Sequence, residues 1–302
     1  MSGANGGPAG ATPRLSIGLP VYNGEQYLPE ALDALLGQTF TDFELIISDN
    51  ASTDCTEEIC REYARRDPRI RYIRQRTNIG IDPNHWFLTQ QARGELFKWA
   101  SHDDLYAPDL LRVCVEALDR HPEAVLAHAG DALVDEAGEI IEPMPYDLDS
   151  ADPRPEVRLR SLLHVSGGND DYGVIRSDVL RKVTPYGMGA YGSDRVFVAG
   201  LVLHGPFHHA PDILYFRRER PDRVSRFGKR DRALMLDPRR AERRWNPTVR
   251  LHLEYLLGFV TAIRRAPLSP GERARCLAEV ARWLLSRTRP GRPVEARLGV
   301  VS

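Results

Sequence analysis

Several features that would assign a chain of 302 residues to a class at once are missing from this sequence. Its four cysteines form no CxxC pair, so neither a disulfide framework nor a zinc site is predicted, and a reducing compartment is favoured. There is no P-loop, GxSxG or HExxH motif, which argues against Walker-type NTPases, serine hydrolases and zincin proteases.

Long apolar runs are also lacking. The most apolar stretch late in the chain, residues 253–263, is far shorter than the roughly 20 residues of a membrane-spanning helix. Residues 1–13 are rich in Gly, Ala and Pro and lack the basic and apolar regions of a signal peptide, so we expect a disordered N-terminus. These observations predict a cytoplasmic protein, with at most a peripheral contact at the inner face of the cell membrane.

Net charge is close to zero, at −1, but the charges are unevenly distributed. Residues 217–302 contain 22 basic and 9 acidic side chains, whereas residues 1–216 contain 19 basic and 33 acidic ones. Either the two parts neutralise each other within one fold, or they have different partners. The counts alone leave both interpretations open.

Apolar strands alternate with amphipathic helices through the first two thirds of the chain. A buried strand that leads into a loop is predicted at LSIGLPVYN, and further strand segments at FELIISD, IRYIRQ, LFKWASHDD (96–104), AVLAHAG and FHHAPDILYFRR. A proline-rich loop or linker is predicted over residues 143–155. This order predicts an α/β fold with a mostly parallel, Rossmann-like sheet flanked by helices, followed by C-terminal helices. Such sheets bind ligands at the carboxyl ends of their strands.

Polar residues follow three of these predicted strands. Adjacent carboxylates at Asp103 and Asp104 suit Mg²⁺ or Mn²⁺ together with substrate phosphates; the alternative is an exposed pair that caps a helix. The Asp49 carboxylate suits a nucleobase imide N–H or a ribose hydroxyl, and its alternative is also a helix N-cap.

Charged residues in the second half of the chain offer further candidates. Asp194 precedes an apolar helix, where capping is the simpler role. Arginines at 217, 218 and 220 follow a strand and suit a diphosphate, because guanidinium groups bind phosphate in a bidentate manner; a solvated loop is the alternative. His204, His208 and His209 lack a carboxylate or cysteine at ligand spacing, so they are interpreted as structural or surface residues.

Together these segments resemble the family-2 glycosyltransferases with the GT-A fold, over about residues 16–220. The resemblance is carried by SIGLPVYNGEQYLPEALDALLGQTFTDFELIISDNASTDCT (16–56), NIG (78–80), ARGELFKWASHDDLYAPD (92–109) and YGSDRVF (191–197). The first segment is the most specific, because its strand, YN-x-E, helix, QTF, strand and DNAS-x-D follow one another in the family's order.

The resemblance implies a nucleotide-diphosphate-sugar donor and an inverting, metal-dependent transfer to an acceptor hydroxyl. The residues it places around the nucleotide, ribose and diphosphate are Pro20, Tyr22, Asn23, Glu25, Asp49, Asn78, Gly80, Asp103, Arg218 and Arg220. It implies that Asp103 and Asp104 bind Mg²⁺ or Mn²⁺, and that Asp194 is the general base, which we expect to be partly desolvated. If Asp49 accepts a hydrogen bond from the nucleobase, it favours a UDP- or dTDP-sugar over a GDP-sugar.

Two departures from the family pattern affect the metal and diphosphate sites. Ser101 stands at the first position of the family's Asp-x-Asp-Asp motif, so the metal would have to be bound by Asp103 and Asp104. The sequence does not show which of these two is the direct ligand. Arg220 stands where relatives often carry histidine, and an extra cation there could assist the departing diphosphate.

Four parts of the chain are expected from this resemblance. They are a disordered N-terminus (1–13), a nucleotide-sugar-binding half (14–135), an acceptor-binding half of the same GT-A domain (136–220) and a basic helical extension (221–302). The acceptor, whether glycan, lipid-linked or small molecule, should be set by residues 142–192, which include Asp170, Asp171 and Tyr172.

The sequence is also compatible with other partners and functions. The arginines of residues 245–292 lie on amphipathic segments, so we hypothesise a peripheral contact with an anionic membrane, and nucleic-acid binding is not expected. A nucleotidyltransferase would also use a parallel sheet and paired carboxylates, although LPVYNGE lacks its Gly-rich phosphate loop. A catalytically inert nucleotide-sugar-binding or scaffold protein is the third interpretation.

Overall fold

A computed structural model describes residues 12–164, 172–183, 193–220 and 247–288. The strands in these ranges are β1 (Leu15–Val21), β2 (Phe43–Asp49), β3 (Ile70–Arg74), β4 (Leu96–Trp99), β5 (Leu105–Tyr106), β6 (Leu126–Val134), β7 (Ile140–Met144), β8 (Val174–Arg176) and β9 (Phe207–Arg218). The helices are α1 (Leu28–Leu36), α2 (Thr56–Arg66), α3 (Ile81–Gln91), α4 (Leu110–Arg120), α5 (Pro155–His164), α6 (Ser177–Leu180), α7 (Ser193–His204), α8 (Pro247–Arg265) and α9 (Pro270–Thr288).

These strands form one sheet in the order β3-β2-β1-β4-β8-β6-β9-β5, with β7 paired to β6. The pairs β3-β2, β2-β1 and β1-β4 are parallel, β8 runs antiparallel to β4 and β6, and β9 is parallel to β6. Strands β1 to β4 and β9 therefore all point the same way. Their carboxyl ends share one edge of the sheet, where open α/β sheets bind ligands.

Two apolar layers cover the two faces of the sheet. Side chains of α1 and α4, such as Leu32 and Leu111, pack on one face, and those of α5 and α7, such as Leu159 and Phe197, pack on the other. Strand β4 shows the alternation behind this division: Leu96 joins the first layer and Phe97 joins the second. The sheet is held from both sides, so its carboxyl edge is a rigid platform.

The predicted strands at residues 43–49 and 207–218 are observed with the same bounds. The predicted loop over 143–155 is wrong at its start, because β7 runs through Pro143 to Met144. Proline is tolerated there because β7 pairs with β6 alone and needs no second ladder. Helix α5 was not anticipated; the buried guanidinium of Arg158 anchors it by donating to the carbonyl oxygen of Val202 at 2.6 Å.

The C-terminal helices α8 and α9 pack on the body of the protein. Phe259 and Trp283 join the same apolar layer as α5 and α7. At Gly258 a Cβ atom would lie 2.8 Å from a methyl group of Val196, so α8 lies against α7 at its backbone. Arg275 forms an ion pair with Glu156 at 2.6 Å, which joins the basic extension to the acidic body.

Neither α8 nor α9 has the length and apolar content to cross a bilayer, and the same holds for the other helices of the described ranges.

Candidate active site

The loop after β1 is joined to the loop after β2 by backbone and side-chain hydrogen bonds. The Asn23 N–H donates to the Ser52 hydroxyl at 2.9 Å, and the Asn23 side-chain oxygen accepts the Thr53 N–H at 2.8 Å. Gly24 donates its N–H to the Thr56 hydroxyl at 2.8 Å. Asn23 has a φ of +50°, a left-handed conformation that asparagine tolerates better than most residues. The two strand ends therefore form one preorganised surface.

Three more residues were expected in the nucleotide pocket, and they differ in how far the protein itself engages them. Glu25 closes the loop junction, because its carboxylate accepts the Cys55 N–H at 2.9 Å. Pro20 lies in β1, half-buried and paired with Ser48 of β2. The Tyr22 side chain is 44% exposed at the same edge, which leaves its ring available for contact with a ligand.

Asp49 is the most deeply engaged of the predicted donor residues. Its carboxylate is fully buried and accepts the Ser52 N–H at 2.8 Å, the Tyr72 hydroxyl at 2.7 Å and an Arg74 N–H at 2.7 Å. Burial would raise the pKa of Asp49, but these hydrogen bonds outweigh it and hold that pKa below its ordinary value. Asp49 is therefore ionised at neutral pH and ties the loop after β2 to β3.

Arg74 is a site residue that the sequence reasoning missed. It is the last residue of β3, and besides its bond to Asp49 it donates to the carbonyl oxygen of Ser52 at 2.9 Å. The strand-end argument that singled out Asp49 applies equally to Arg74, because both end parallel neighbours. A nucleobase at Asp49 would meet this guanidinium too.

The segment Asn78–Gly80 is held against the end of β2 by Asn50. The Asn50 amide donates to the Asn78 side-chain oxygen at 3.0 Å, and the Ile79 N–H donates to the Asn50 oxygen at 2.8 Å. Gly80 has a φ of +93°, a conformation that favours glycine, and it precedes α3. Asn78 and Gly80, which were predicted to lie near the ribose or diphosphate, are thus close to Asp49, which was predicted to bind the nucleobase.

The neighbouring carboxylates Asp103 and Asp104 differ sharply in their surroundings. Asp104 is 1% exposed, and its two oxygens accept the Tyr215 hydroxyl and the Arg218 backbone N–H, the latter at 2.9 Å. Asp103 is 4% exposed; one oxygen accepts the Ser101 hydroxyl and the other lies 2.8 Å from Nε of Arg220. Asp104 anchors β9, whereas Asp103 faces a charged side chain that follows β9.

Arg218 forms a buried clasp between α1, the Asp103 loop and β9. Its guanidinium donates to the Asp103 carbonyl oxygen at 2.9 Å and to the Glu30 carboxylate at 2.6 Å, and lies 4.7 Å from the centre of the Tyr27 ring. The side chain is 1% exposed. The guanidinium that we expected at a diphosphate is thus turned into the protein, and the Arg220 side chain, 17% exposed, is the more accessible cation.

The loop after β1 and the Asp103 loop meet at Gly24 and His102. A Cβ atom on Gly24 would lie 2.8 Å from the His102 ring, so only glycine fits without displacing that ring. Asp103 and Arg220 therefore lie on the same surface as Asn23.

Asp194 lies in the first turn of α7 and is exposed. One of its carboxylate oxygens accepts the N–H of Arg195 at 2.8 Å. Helix α7 is seated on the end of β4, since the Phe197 ring packs edge-on against Trp99 with centroids 5.1 Å apart. The expectation that Asp194 is partly desolvated is wrong for this conformation, because a carboxylate at the open start of a helix stays hydrated.

A divalent cation at this edge would depend on Asp103. A carboxylate offers about four lone-pair sites, and Mg²⁺ needs only one or two protein carboxylates when a diphosphate supplies the other oxygens. No cluster of three or more His, Cys, Asp or Glu side chains forms a metal site within the described ranges. The chemistry of Asp103 fits a cation that is held jointly with the phosphates of a substrate.

The expected acceptor segment is only partly described. Asp170 and Asp171 lie outside the described residues, as do Tyr191 and Gly192 of the YGSDRVF motif. Tyr172 is described: its ring stacks on Tyr215 with centroids 5.8 Å apart, and its carbonyl oxygen accepts the buried Lys98 ammonium.

Comparison with known families identifies this arrangement. Residues 16–184 match the sequence model described as "Glycosyl transferase family 2". The chain belongs to glycosyl transferase family 2. Members of this family are described as glycosyl transferases.

Parts of the chain are similar to curated proteins. This family-2 chain is 30% identical over 154 residues to an uncharacterized glycosyltransferase of Rickettsia typhi, covering 51% of this chain and 47% of that protein. It is 44% identical over 109 residues to an uncharacterized protein of Mycobacterium tuberculosis, covering 35% and 31% of the two chains. The chain thus spans less than half the length of these relatives.

Solved structures confirm the GT-A fold. S. aureus TarS in complex with UDP-GlcNAc superposes with a TM-score of 0.65 at 19% identity, covering 90% of this chain and 73% of that one. The Pyrobaculum calidifontis mannosyltransferase PcManGT, in complex with GDP-Man and Mn²⁺, superposes with a TM-score of 0.54 at 18% identity, covering 91% and 81%. The predicted α/β fold with C-terminal helices is therefore confirmed.

Proposed function

We propose that this family-2 glycosyltransferase moves a sugar from a nucleotide-diphosphate-sugar to an acceptor hydroxyl by a metal-dependent, inverting displacement. The observation that carries the proposal is the meeting of an accessible arginine and a strand-end carboxylate, Arg220 and Asp103, 2.8 Å apart beside the joined loops after β1 and β2. A diphosphate needs cations on one side and a nucleoside pocket on the other, and this edge of the sheet offers both.

A UDP- or dTDP-sugar is the donor that we favour. Asp49 and Arg74 together offer an acceptor and a donor, which match the N3–H and an adjacent carbonyl of uracil or thymine. TarS, a structural neighbour, has been solved with UDP and with UDP-GlcNAc, whereas PcManGT has been solved with GDP-Man. Because Asp49 is buried without a ligand, this role requires its carboxylate to turn towards the base.

Asp103 is the direct metal ligand in this proposal, and Asp104 is its structural neighbour. Both Asp104 oxygens are used to anchor Tyr215 and the backbone of Arg218. When bound, Mg²⁺ or Mn²⁺ would neutralise the charge that develops on the departing diphosphate. Arg220 contributes a second positive charge at the same place, which suits a leaving group with two phosphates.

Asp194 is the proposed general base. Its carboxylate removes the proton from the acceptor hydroxyl as the oxygen attacks the anomeric carbon, and the bond from that carbon to the diphosphate oxygen breaks with its electron pair on the diphosphate. Attack opposite the leaving group inverts the anomeric configuration. An acceptor seated over α7 would displace water from around Asp194.

Membership of family 2 favours this function over the two alternatives. A nucleotidyltransferase would release pyrophosphate from a nucleoside triphosphate, and an inert binding protein would leave a nucleotide-sugar intact. Slow hydrolysis of UDP-sugars that requires Mn²⁺ is expected here and would exclude both alternatives.

A thermal-shift screen of UDP, dTDP and GDP with Mn²⁺ tests the donor site. A nucleotide at a hundredfold excess over its Kd stabilises the folded state by about 2.7 kcal/mol, so the melting temperature should rise by several degrees with UDP or dTDP. A larger rise with GDP would reverse the nucleotide preference, and no rise with any of the three would refute the donor site.

Tyr22 provides a variant for the same screen. Because its ring is 44% exposed, Tyr22→Ala should leave the melting temperature of the ligand-free protein unchanged and reduce the nucleotide-dependent rise. Leu285→Ala, which removes an apolar side chain 66% exposed on α9, is the matched control and should keep the full rise.

We also propose that α8 and α9 contact an anionic membrane, which would place the enzyme at the inner face of the cell membrane. Both helices expose leucines, Leu253 (54%), Leu257 (60%) and Leu285 (66%), and both carry exposed arginines, among them Arg264 and Arg282. Apolar side chains beside cations suit the interface of an anionic bilayer. A lipid-linked acceptor would be held in the same plane, although a glycan or small molecule would fit the chemistry equally.

Sedimentation with phosphatidylglycerol vesicles at low salt tests this contact. The double variant Leu257→Glu, Leu285→Glu should lose most of the vesicle-bound fraction, because it places charge on the apolar side chains that would enter the bilayer. The control Ile140→Glu, Ile141→Glu alters two side chains of β7 that are 59% and 53% exposed, and should bind as the wild type does. Equal binding by all three proteins would contradict the proposal.

A further inference from the structure

Asp103 already has a cationic partner within the protein. Nε of Arg220 lies 2.8 Å from one carboxylate oxygen, while the Ser101 hydroxyl donates to the other. Asp103 is 4% exposed, so this pair is shielded from the screening that weakens surface ion pairs. The carboxylate proposed as the metal ligand is thus neutralised by a guanidinium in the ligand-free enzyme.

The two arginines that flank Glu219 are held in different ways. Arg218 is fixed by the Glu30 carboxylate and the Asp103 carbonyl oxygen, and it is 1% exposed. Arg220 lies beyond the last residue of β9, and its side chain is 17% exposed. Both guanidinium groups lie near the Tyr27 ring, at 4.7 Å for Arg218 and 5.8 Å for Arg220. Arg220 can therefore change partner without breaking the clasp formed by Arg218.

A guanidinium and a divalent cation compete for the same carboxylate oxygen, because two positive groups cannot both lie within contact distance of it without strong repulsion. A diphosphate changes that balance, since its oxygens accept both a metal ion and a guanidinium. The diphosphate thus provides a second place for Arg220 at the moment when Asp103 is needed elsewhere.

We propose that Arg220 is an exchangeable counterion of Asp103, which occupies the metal position until donor and metal arrive together and then pairs with the diphosphate. This inference rests on the proposed function. It makes metal and nucleotide binding mutually dependent: the metal alone must displace Arg220, whereas the metal–nucleotide complex offers Arg220 a new partner. By linkage, each ligand raises the affinity for the other by the same factor.

Binding of Mn²⁺ to the full chain, followed by electron paramagnetic resonance of free Mn²⁺, tests the inference without an activity assay. Arg220→Gln should bind Mn²⁺ alone about 5- to 10-fold more tightly than the wild type, at the low end of typical coupling between sites. The same variant should bind UDP in saturating Mn²⁺ about 5- to 10-fold more weakly, measured by calorimetry. A purely structural arginine would not move these two affinities in opposite directions.

Two further variants support the comparison. Arg220→Met keeps the length of the side chain beside Tyr27 without its charge, and should repeat both changes if Arg220→Gln folds poorly. Arg112→Gln removes an exposed arginine of α4 that pairs with Asp109 and Glu116, and should leave both affinities unchanged.

The outcomes separate this inference from the proposed function. If the wild type binds Mn²⁺ in the presence of UDP but the Arg220 variants do not bind Mn²⁺ alone more tightly, the counterion role is refuted and the metal site stands. If the wild type fails to bind Mn²⁺ even with UDP, the metal-dependent function is refuted, and the exchange role of Arg220 is refuted with it.

Discussion

Replacing Asp194 with asparagine is expected to lower kcat about 10²- to 10⁴-fold, the usual contribution of a general base. Asparagine keeps the size and hydrogen-bonding shape of the side chain but cannot take the acceptor proton. Because Asp194 is exposed at the start of α7, the substitution should not alter folding or donor binding. Steady-state transfer to an acceptor, measured together with the KM for the donor, separates these effects.

A matched control is available on a neighbouring helix. Asp178 lies in the first turn of α6 and pairs with Lys182 at 3.1 Å, an exposed contact of the kind that contributes little. Asp178→Asn should keep kcat within about twofold, since surface substitutions away from a site have small effects. Full activity of Asp194→Asn would remove this residue from the mechanism.

Replacing Arg218 with methionine is expected to cost about 1–3 kcal/mol of unfolding free energy, the typical loss when a buried hydrogen-bond acceptor, here the Asp103 carbonyl oxygen, is left without its donor. Methionine fills much of the space but leaves the Glu30 carboxylate and the Asp103 carbonyl oxygen without their donor. Urea unfolding followed by circular dichroism measures the loss. Because the clasp also positions the Asp103 loop, UDP binding should weaken in the folded fraction.

Arg217 supplies the comparison for this substitution. It precedes Arg218 on β9, so its side chain faces the other side of the sheet, and it is half-buried. Arg217→Met should change the unfolding free energy by about 0.5 kcal/mol or less, the range of most substitutions outside buried networks. Similar losses of unfolding free energy for the two variants would show that Arg218 acts through its charge alone. Its hydrogen bonds to Glu30 and Asp103 would then not stabilise the fold.

Sequence reasoning predicted the parts of the fold that depend on local pattern. Strands β2 and β9 each contain a short apolar run, LII in β2 and ILYF in β9, and such a run identifies a strand without knowledge of its partners. Helix α5 was missed because Arg158 interrupts its apolar face. Its buried position depends on carbonyl oxygens from Val202 and Asp152, which only the folded chain brings near.

In the candidate site too, the residues marked by local sequence were predicted, and those that depend on distant contacts were not. Asp49, Asn78 and Asp103 were found because each follows a strand or stands in a family motif. Their partners were not all found: Arg74 ends a strand but carries no motif, and Tyr215 reaches Asp104 across 111 residues of sequence. The choice between Asp103 and Asp104 was also out of reach, because it depends on which carboxylate β9 uses as its anchor.

The fit of Gly258 against Val196 has a practical consequence for anyone shortening this protein. The family match ends at residue 184, yet α7, which carries Asp194, begins at Ser193 and is braced from behind by α8. A gene trimmed to the matched region would discard the proposed base, and one trimmed after β9 would keep Asp194 on a helix that has lost the apolar packing of α8. We expect the first product to be inactive and the second to aggregate, so the basic extension belongs in any minimal enzyme.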